Sequence, residues 1–205
     1  MSGKEHWEKV FSTKQENEVS WFQPNPKTSM DFIRKLGIPK NAKIIDVGGG
    51  DSYFIDSLLK AGYTNLYLLD ISEEAILRIK KRLGVNASKV TFIVSDILDF
   101  KAQTTFNVWH DRASFHFLTA QIDIEKYQDI VANAIVSNGK FIIGTFSENG
   151  PKKCSGLDIT QYNEAALLDV FKNSFEKIEC FTEDHLTPFE TIQNFIFCSF
   201  TKNNI

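Results

Sequence analysis

The sequence predicts an α/β chain built on a doubly wound, mostly parallel sheet. Short apolar runs alternate with helical patterns from about residue 29 to residue 172, the rhythm of βα units. The runs are apolar throughout, as strands are when helices cover both faces of a sheet. A glycine-rich turn follows the first run, at the position where such sheets open their ligand crevice.

The first forty residues differ in kind from the rest of the chain. They hold Trp7, Trp21 and the segment Trp21-Phe22-Gln23-Pro24-Asn25-Pro26, whose prolines forbid a regular helix. An apolar helix from Met30 to Leu36, ended by Gly37, leads into the first strand. The aromatic segment either packs onto the domain or closes over the crevice as a lid. The spacing then predicts strands over Lys43–Val47, Asn65–Leu69, Val90–Ser95, Phe106–Trp109 and Lys140–Phe146. Between them, helices place Phe54, Leu58 and Leu59, then Ala75, Ile76, Ile79 and Leu83, then Tyr127, Ile130, Val131, Ala134 and Ile135 on single faces. Ser72 is placed to cap the second of these, Glu73 and Glu74 favour its positive end, and Gly84 can close it. Its basic cluster, Arg78, Lys80, Lys81 and Arg82, is expected on a solvated face. After a helix around Ala165–Phe171, the runs Phe175–Phe181 and Asn194–Phe200 leave no room for a crossover helix, so they are expected to pair as an antiparallel hairpin. The expected sheet has seven strands.

Composition sets the outer bounds. A chain of 205 residues, 42% hydrophobic and 24% charged, is expected to form one globular domain over 1–205, with 1–40 as the lid segment and 41–205 as the core. The net charge of −3 and a pI near 5.8 give no footprint for nucleic acid. No uncharged apolar stretch reaches the ~18 residues of a membrane span. Met1–Val10 carries Lys4, Glu5, Glu8 and Lys9 where a signal peptide would be apolar. The expected address is cytoplasmic, with no membrane partner and an oligomeric state left open. Cys154, Cys180 and Cys198 form no C-x-x-C pair and have no histidine at zinc spacing, so reduced thiols and no metal are expected.

The chemistry starts at Asp46-Val47-Gly48-Gly49-Gly50-Asp51-Ser52. Small residues let backbone approach a ligand closely, and the exposed amides of the loop offer donors. Asp70 ends the second strand about 20 residues past the glycines, the spacing at which a carboxylate reaches a ribose hydroxyl. Asp96 ends the third. A dinucleotide fingerprint would need a small residue where Tyr53 stands, so a nicotinamide cofactor fits poorly. Asp46 would repel a pyrophosphate and attract a cationic adenosine instead.

On these residues the chain resembles the class I S-adenosylmethionine-dependent methyltransferases over residues 29 to 200, with a Rossmann-like sheet and Ser52 in place of the last glycine of their first motif. The resemblance implies that Asp46, Gly48, Gly49, Gly50 and Ser52 surround the methionine part of the cofactor. It implies that Asp70 holds the ribose with Ile71 against the base, and that Asp96 and Ile97 contact adenine. Trp21 and His110 are expected to border the same ligand. Trp21-Phe22-Gln23-Pro24, Trp109 to Leu118 and Cys154-Ser155-Gly156-Leu157 look more closely like a bacterial group similar to the mitochondrial citrate synthase lysine methyltransferase.

The acceptor side is expected at His110, Asp111, Arg112 and His116 after the fourth strand, and at the turn-rich segment 148–157. Asp111 and His116 are candidates to orient an amine or take its proton. Arg112, Cys154 and Tyr162 are candidate acceptor contacts, Cys154 without a catalytic role. His185 is expected in a surface loop. The function expected is methyl transfer to nitrogen, oxygen or sulfur, with a protein lysine or a small metabolite or thiol as acceptor. The alternatives are a non-catalytic S-adenosylmethionine sensor or partner subunit, and a nicotinamide-dependent oxidoreductase. Nucleic acid ranks last as acceptor, since His110-Asp111-Arg112-Ala113 stands where an amino-base methylation motif would follow the fourth strand.

Overall fold

The computed structural model describes residues 3–204. Its strands are β1 (Lys43–Val47), β2 (Asn65–Asp70), β3 (Val90–Val94), β4 (Phe106–Arg112), β5 (Ile135–Phe146), β6 (Lys153–Cys154), β7 (Leu157–Asp158), β8 (Phe175–Leu186) and β9 (Ile192–Lys202). Its α-helices are α1 (Gly3–Thr13), α2 (Lys27–Lys35), α3 (Phe54–Lys60), α4 (Glu73–Leu83), α5 (Gln121–Ala134) and α6 (Glu164–Phe171). A seven-stranded sheet runs in the order β3-β2-β1-β4-β5-β9-β8, while β6 and β7 form a separate two-stranded ribbon.

Pairing is parallel from β3 through β5 and antiparallel on both sides of β9. The expected architecture therefore holds, with β9 alone reversed and inserted between β5 and β8. Alternation along the central strands splits the core in two. Ile44, Leu68, Val108 and Ile142 face the α2, α3 and α4 side, whereas Ile45, Leu69, Trp109 and Ile143 face α5 and α6. Both sets are buried, which is why these strands read as continuous apolar runs.

Three local expectations are corrected. β4 does not stop at Trp109 but continues to Arg112, so His110, Asp111 and Arg112 alternate across the sheet. His185 is not in a loop: it is a buried residue of β8, and its Nε2 lies 2.8 Å from the Ser20 carbonyl. Cys180 and Cys198 are not free thiols. They stand opposite each other in the β8–β9 register, with Cα atoms 4.2 Å apart, and form a disulfide. Sequence spacing could not show this, because the pairing is set by where the hairpin turns, between Thr187 and Thr191. Cys154 is free and buried.

The amino-terminal segment is fastened to both ends of the fold. Glu8 of α1 accepts the amides of Glu73 and Glu74 at 2.8 and 3.1 Å and the Ser72 hydroxyl at 2.8 Å, placing a carboxylate on the positive end of α4. Burial works against that charge, yet those hydrogen bonds hold the Glu8 carboxyl below its ordinary range. At the other end, the Thr28 hydroxyl donates to Glu183 of β8 at 2.7 Å.

Gly144 of β5 faces Phe197 of β9, and a side chain at 144 would overlap the Phe197 ring. Gly144→Ala is therefore expected to cost about 1–3 kcal/mol, the range of core overpacking, read as a lower urea midpoint at unchanged slope.

Candidate active site

The carboxyl ends of β1 to β4 open into a cavity of about 450 Å³. Its floor is the glycine turn after β1. Gly48 and Gly50 have φ of 61° and 52°, the left-handed region that favours glycine. Gly49 is required for space instead, since a Cβ there would lie 2.5 Å from an Asp46 carboxylate oxygen.

Asp46 is buried, and its Oδ1 lies 2.7 Å from His110 Nδ1. His110 Nε2 lies 2.8 Å from the hydroxyl of Ser29 in α2. The chain is satisfied when Ser29 donates to Nε2 and Nδ1–H donates to the carboxylate. Asp46 Oδ2, by contrast, is buried with no partner among the described residues. Asp70 accepts the Gly50 amide on Oδ2 and the Ser72 amide on Oδ1, both at 2.8 Å. Burial, with Asp46 and Asp51 adding like charge, pushes the Asp70 carboxyl up to about 6 against those two hydrogen bonds. The site thus concentrates negative potential in a place short of water, and a cation bound there would relieve it.

The turn is braced from α4, contrary to the expected solvated basic face. Arg82 donates to the Asp51 and Ser52 carbonyls at 2.6 Å and to Asp56 at 2.9 Å, while Arg78 pairs with Asp51 at 3.3 Å. Only Lys80 and Lys81 of that cluster are exposed.

Asp46, Gly48, Gly49, Gly50, Ser52, Asp70, Ile71, Asp96, Ile97, His110, Trp21 and Arg112, all singled out from the sequence, line this one cavity. Asp111, His116, Cys154 and Tyr162 do not. The alternation of β4 turns Asp111 to the opposite face, where Oδ2 accepts the Tyr127 hydroxyl at 2.6 Å and Oδ1 accepts the Ser114 and Phe115 amides at 3.1 and 3.2 Å. Burial raises its carboxyl to about 6. His116 is stacked on Phe146 with ring centres 4.5 Å apart, and burial, helped by Arg112, lowers it to about 3, so the ring is neutral. Burial likewise raises the Cys154 thiol to about 11, and Tyr162 packs in the α5–α6 core. Among the described residues no group of three or more His, Cys, Asp or Glu side chains could hold a metal ion.

Further walls come from the expected lid segment and the turn-rich segment 148–157, through Trp7 and Leu157, and from Phe11 of α1, Ser29 of α2 and Phe117, which the sequence reading did not single out. The i, i+4 spacing of Trp7 and Phe11 was a usable signal for an apolar helix face. Nothing local marked Ser29, whose role exists only because α2 lies against β4. Trp7 meets Trp21 and Phe117 at ring-centre distances of 5.7 and 5.0 Å, so the aromatic segment packs onto the fold and lines the cavity.

A parallel sheet in this strand order, with a glycine turn and acidic strand ends around one cleft, defines a nucleoside-binding α/β enzyme fold. A family model described as a methyltransferase domain matches residues 38–194, and the chain belongs to that family. It is 26% identical over 192 residues to EEF1A lysine methyltransferase 2 of Mus musculus, covering 86% of this chain and 72% of the relative. It is 24% identical over 193 residues to the Homo sapiens protein of the same name, covering 86% and 75%. Among solved structures, the N-methyltransferase NodS of Bradyrhizobium japonicum in complex with S-adenosylhomocysteine superposes with a TM-score of 0.76 at 15% identity, over 96% of this chain and 98% of that one. A structure concerning conversion of a disulfide bond into a thioacetal group in echinomycin biosynthesis gives 0.79 at 16% identity, over 98% and 93%.

His116 offers a clean test of its placement. Because the fold holds the ring neutral, stability is intact above the ordinary histidine value of about 6.5 and is lost progressively as pH falls toward 3. His116→Phe is expected to make thermal unfolding less sensitive to acidification from about pH 7 to 5. It should leave methyl transfer within about threefold, whereas loss of a general base costs ~10²–10⁴-fold.

Proposed function

We propose that this methyltransferase, which uses S-adenosylmethionine, delivers the methyl group to an amine, and that the amine is a protein lysine. The observation carrying the cofactor side is the free Oδ2 of Asp46: a buried carboxylate oxygen without a partner, beside three glycines and above a cavity large enough for a nucleoside. The lysine side is supported by the two relatives named as lysine methyltransferases, at 26% and 24% identity. The finer likeness of segments 21–24, 109–118 and 154–157 to the citrate synthase lysine methyltransferase group supports the same acceptor class.

In this reading Asp46 faces the cationic methionine part of the cofactor, and His110 and Ser29 fix its orientation. Gly48, Gly49, Gly50 and Ser52 supply close backbone approach. Asp70 keeps lone pairs for the ribose hydroxyls, Ile71 and Ile97 flank the base, and Asp96 closes the adenine end. Trp21, with Trp7 and Phe11, excludes water from above. When bound, the cofactor would supply a methyl on cationic sulfur: the acceptor ammonium first gives one proton to solvent, and the neutral amine then takes the methyl as sulfur keeps the S–C bonding pair and leaves as a neutral thioether. The acceptor amine must be neutral to attack, and loss of bulk water around it beside Trp7, Phe11, Trp21 and Phe117 would favour that form. Alignment of amine and methyl then supplies most of the rate, with no covalent work by the protein. Asp111 serves as a positioning residue. Its bonds to the Ser114 and Phe115 amides shape the turn that lies against Gly48.

Incubation with methyl-labelled cofactor and a cell lysate, separated into protein, nucleic acid and small molecules, tests this directly. Label on the lysine ε-nitrogen of protein is expected. Label confined to another fraction refutes the lysine acceptor, and tight S-adenosylhomocysteine binding without any labelling supports a sensor. The role of Asp46 has its own measure. Asp46→Asn should weaken binding of the cationic S-adenosylmethionine more than that of its neutral-sulfur product, by about tenfold in the ratio of the two Kd values by calorimetry.

A further inference from the structure

Arg112, the last residue of β4, lies on the same face of the strand as His110 and lines the cavity. Its Nη1 donates to the Trp21 carbonyl at 3.0 Å, and its guanidinium sits 5.0 Å from the centre of the Phe195 ring. Its Nε and Nη2 are out of contact with solvent and have no hydrogen-bond partner among the described residues. The carboxylates that act on it from a distance are committed elsewhere: Glu183 accepts the Thr28 hydroxyl on both oxygens at 2.7 Å, and Asp46 is held by His110. Burial lowers the guanidinium to about 10, which leaves it charged at neutral pH.

Arg112 is half-buried, but a cation with two donors shielded from solvent and left open is costly unless an anion completes it. The fork of a guanidinium matches a carboxylate with two parallel hydrogen bonds. Its place along the sheet says whose carboxylate this is. The acidic ends of β3 and β2 hold the nucleoside side, β1 holds Asp46, and Arg112 lies one strand further on, next to β5. Cys154 is near enough to act on the guanidinium, and it begins the β6–β7 ribbon whose Leu157 and Asp158 line the same cavity.

We propose that Arg112 anchors a carboxylate carried by the methyl acceptor, so that the substrate class is an amine with a carboxylate on the same chain. This rests on the amine part of the reading above; a free amino acid as the carboxylate source would uphold this inference while overturning the protein lysine. The carboxylate belongs either to an acidic side chain flanking a lysine or to a free amino acid, and matched probes separate the two sources. One pair is an N-acetylated, C-amidated lysine peptide with glutamate neighbours and its glutamine counterpart. The other is free lysine and cadaverine, the same amine without the carboxyl group.

Two quantities are to be measured with wild type, Arg112→Lys and Arg112→Met: kcat/KM for each probe, and probe affinity by calorimetry with S-adenosylhomocysteine bound. The wild type is expected to favour the carboxylate member of one pair by about tenfold or more in both quantities, as befits charge-assisted hydrogen bonds. Arg112→Met should erase that preference, and Arg112→Lys should restore part of it. Arg112→Met also releases the Trp21 carbonyl, so any loss of S-adenosylhomocysteine affinity through that contact is measured alongside, and the readout is the ratio between the two members of each pair. Methylation of both members of each pair at equal rates overturns this inference and leaves the amine reading standing. No methylation of any amine overturns both. Loss of S-adenosylhomocysteine affinity in Arg112→Met, equal to the loss seen when wild type is given its decarboxylated form, S-adenosyl-3-thiopropylamine, assigns Arg112 to the cofactor's own carboxylate and overturns the inference. A circular dichroism melt of each variant identifies one that has failed to fold, in which case Arg112→Lys and the probe pairs with wild type decide.

Discussion

The cavity depends on a single buried carboxylate, that of Asp46 at the end of β1. An aspartate with almost no exposure is tolerated only if its charge is answered. One oxygen is answered by His110, which is fixed in turn by Ser29; the other is left open. That half-satisfied state ties three elements together, because β1, β4 and α2 each contribute one group to the chain. It also explains Gly49, where even a methyl group would press on the carboxylate. The same buried charge helps to raise Asp70, so the acidic strand ends act as one electrostatic unit.

Around this centre the helices act as braces. Arg82 takes two carbonyls of the glycine turn and one carboxylate of α3, so α4 holds the turn closed from outside. Glu8 ties α1 to the start of α4, which brings Trp7 and Phe11 over the cleft. Arg112 and His185 hold the carbonyls of Trp21 and Ser20 from below. This wall of the cavity is therefore hydrogen-bonded at its backbone and aromatic on the side that faces the cavity.

Fold and cavity floor were legible because both follow from local pattern. Continuous apolar strands, helical spacing and Ser72 at the start of α4 depend on neighbours in sequence, and the observed cap from Ser72 to the Ala75 amide has the expected form. The glycines and the acidic strand ends were visible for the same reason, since a parallel sheet carries its ligand groups at the ends of consecutive strands. Asp111 and His116 were harder. Their expected roles assumed that β4 ended at Trp109, and two further residues of strand are enough to turn Asp111 away from the cavity.

What the sequence determined by itself is thus the order of elements, the sheet they build and the residues at its ligand-facing edge, all fixed by interactions spanning a few positions. Only the tertiary structure decided which side chains meet across it: Ser29 with His110, Glu8 with α4, Cys180 with Cys198, and Arg112 left with two open donors. Those contacts join residues distant along the chain, some by more than 60 positions. Their existence depends on strand length and register, in which a shift of one residue sends each side chain to the opposite face.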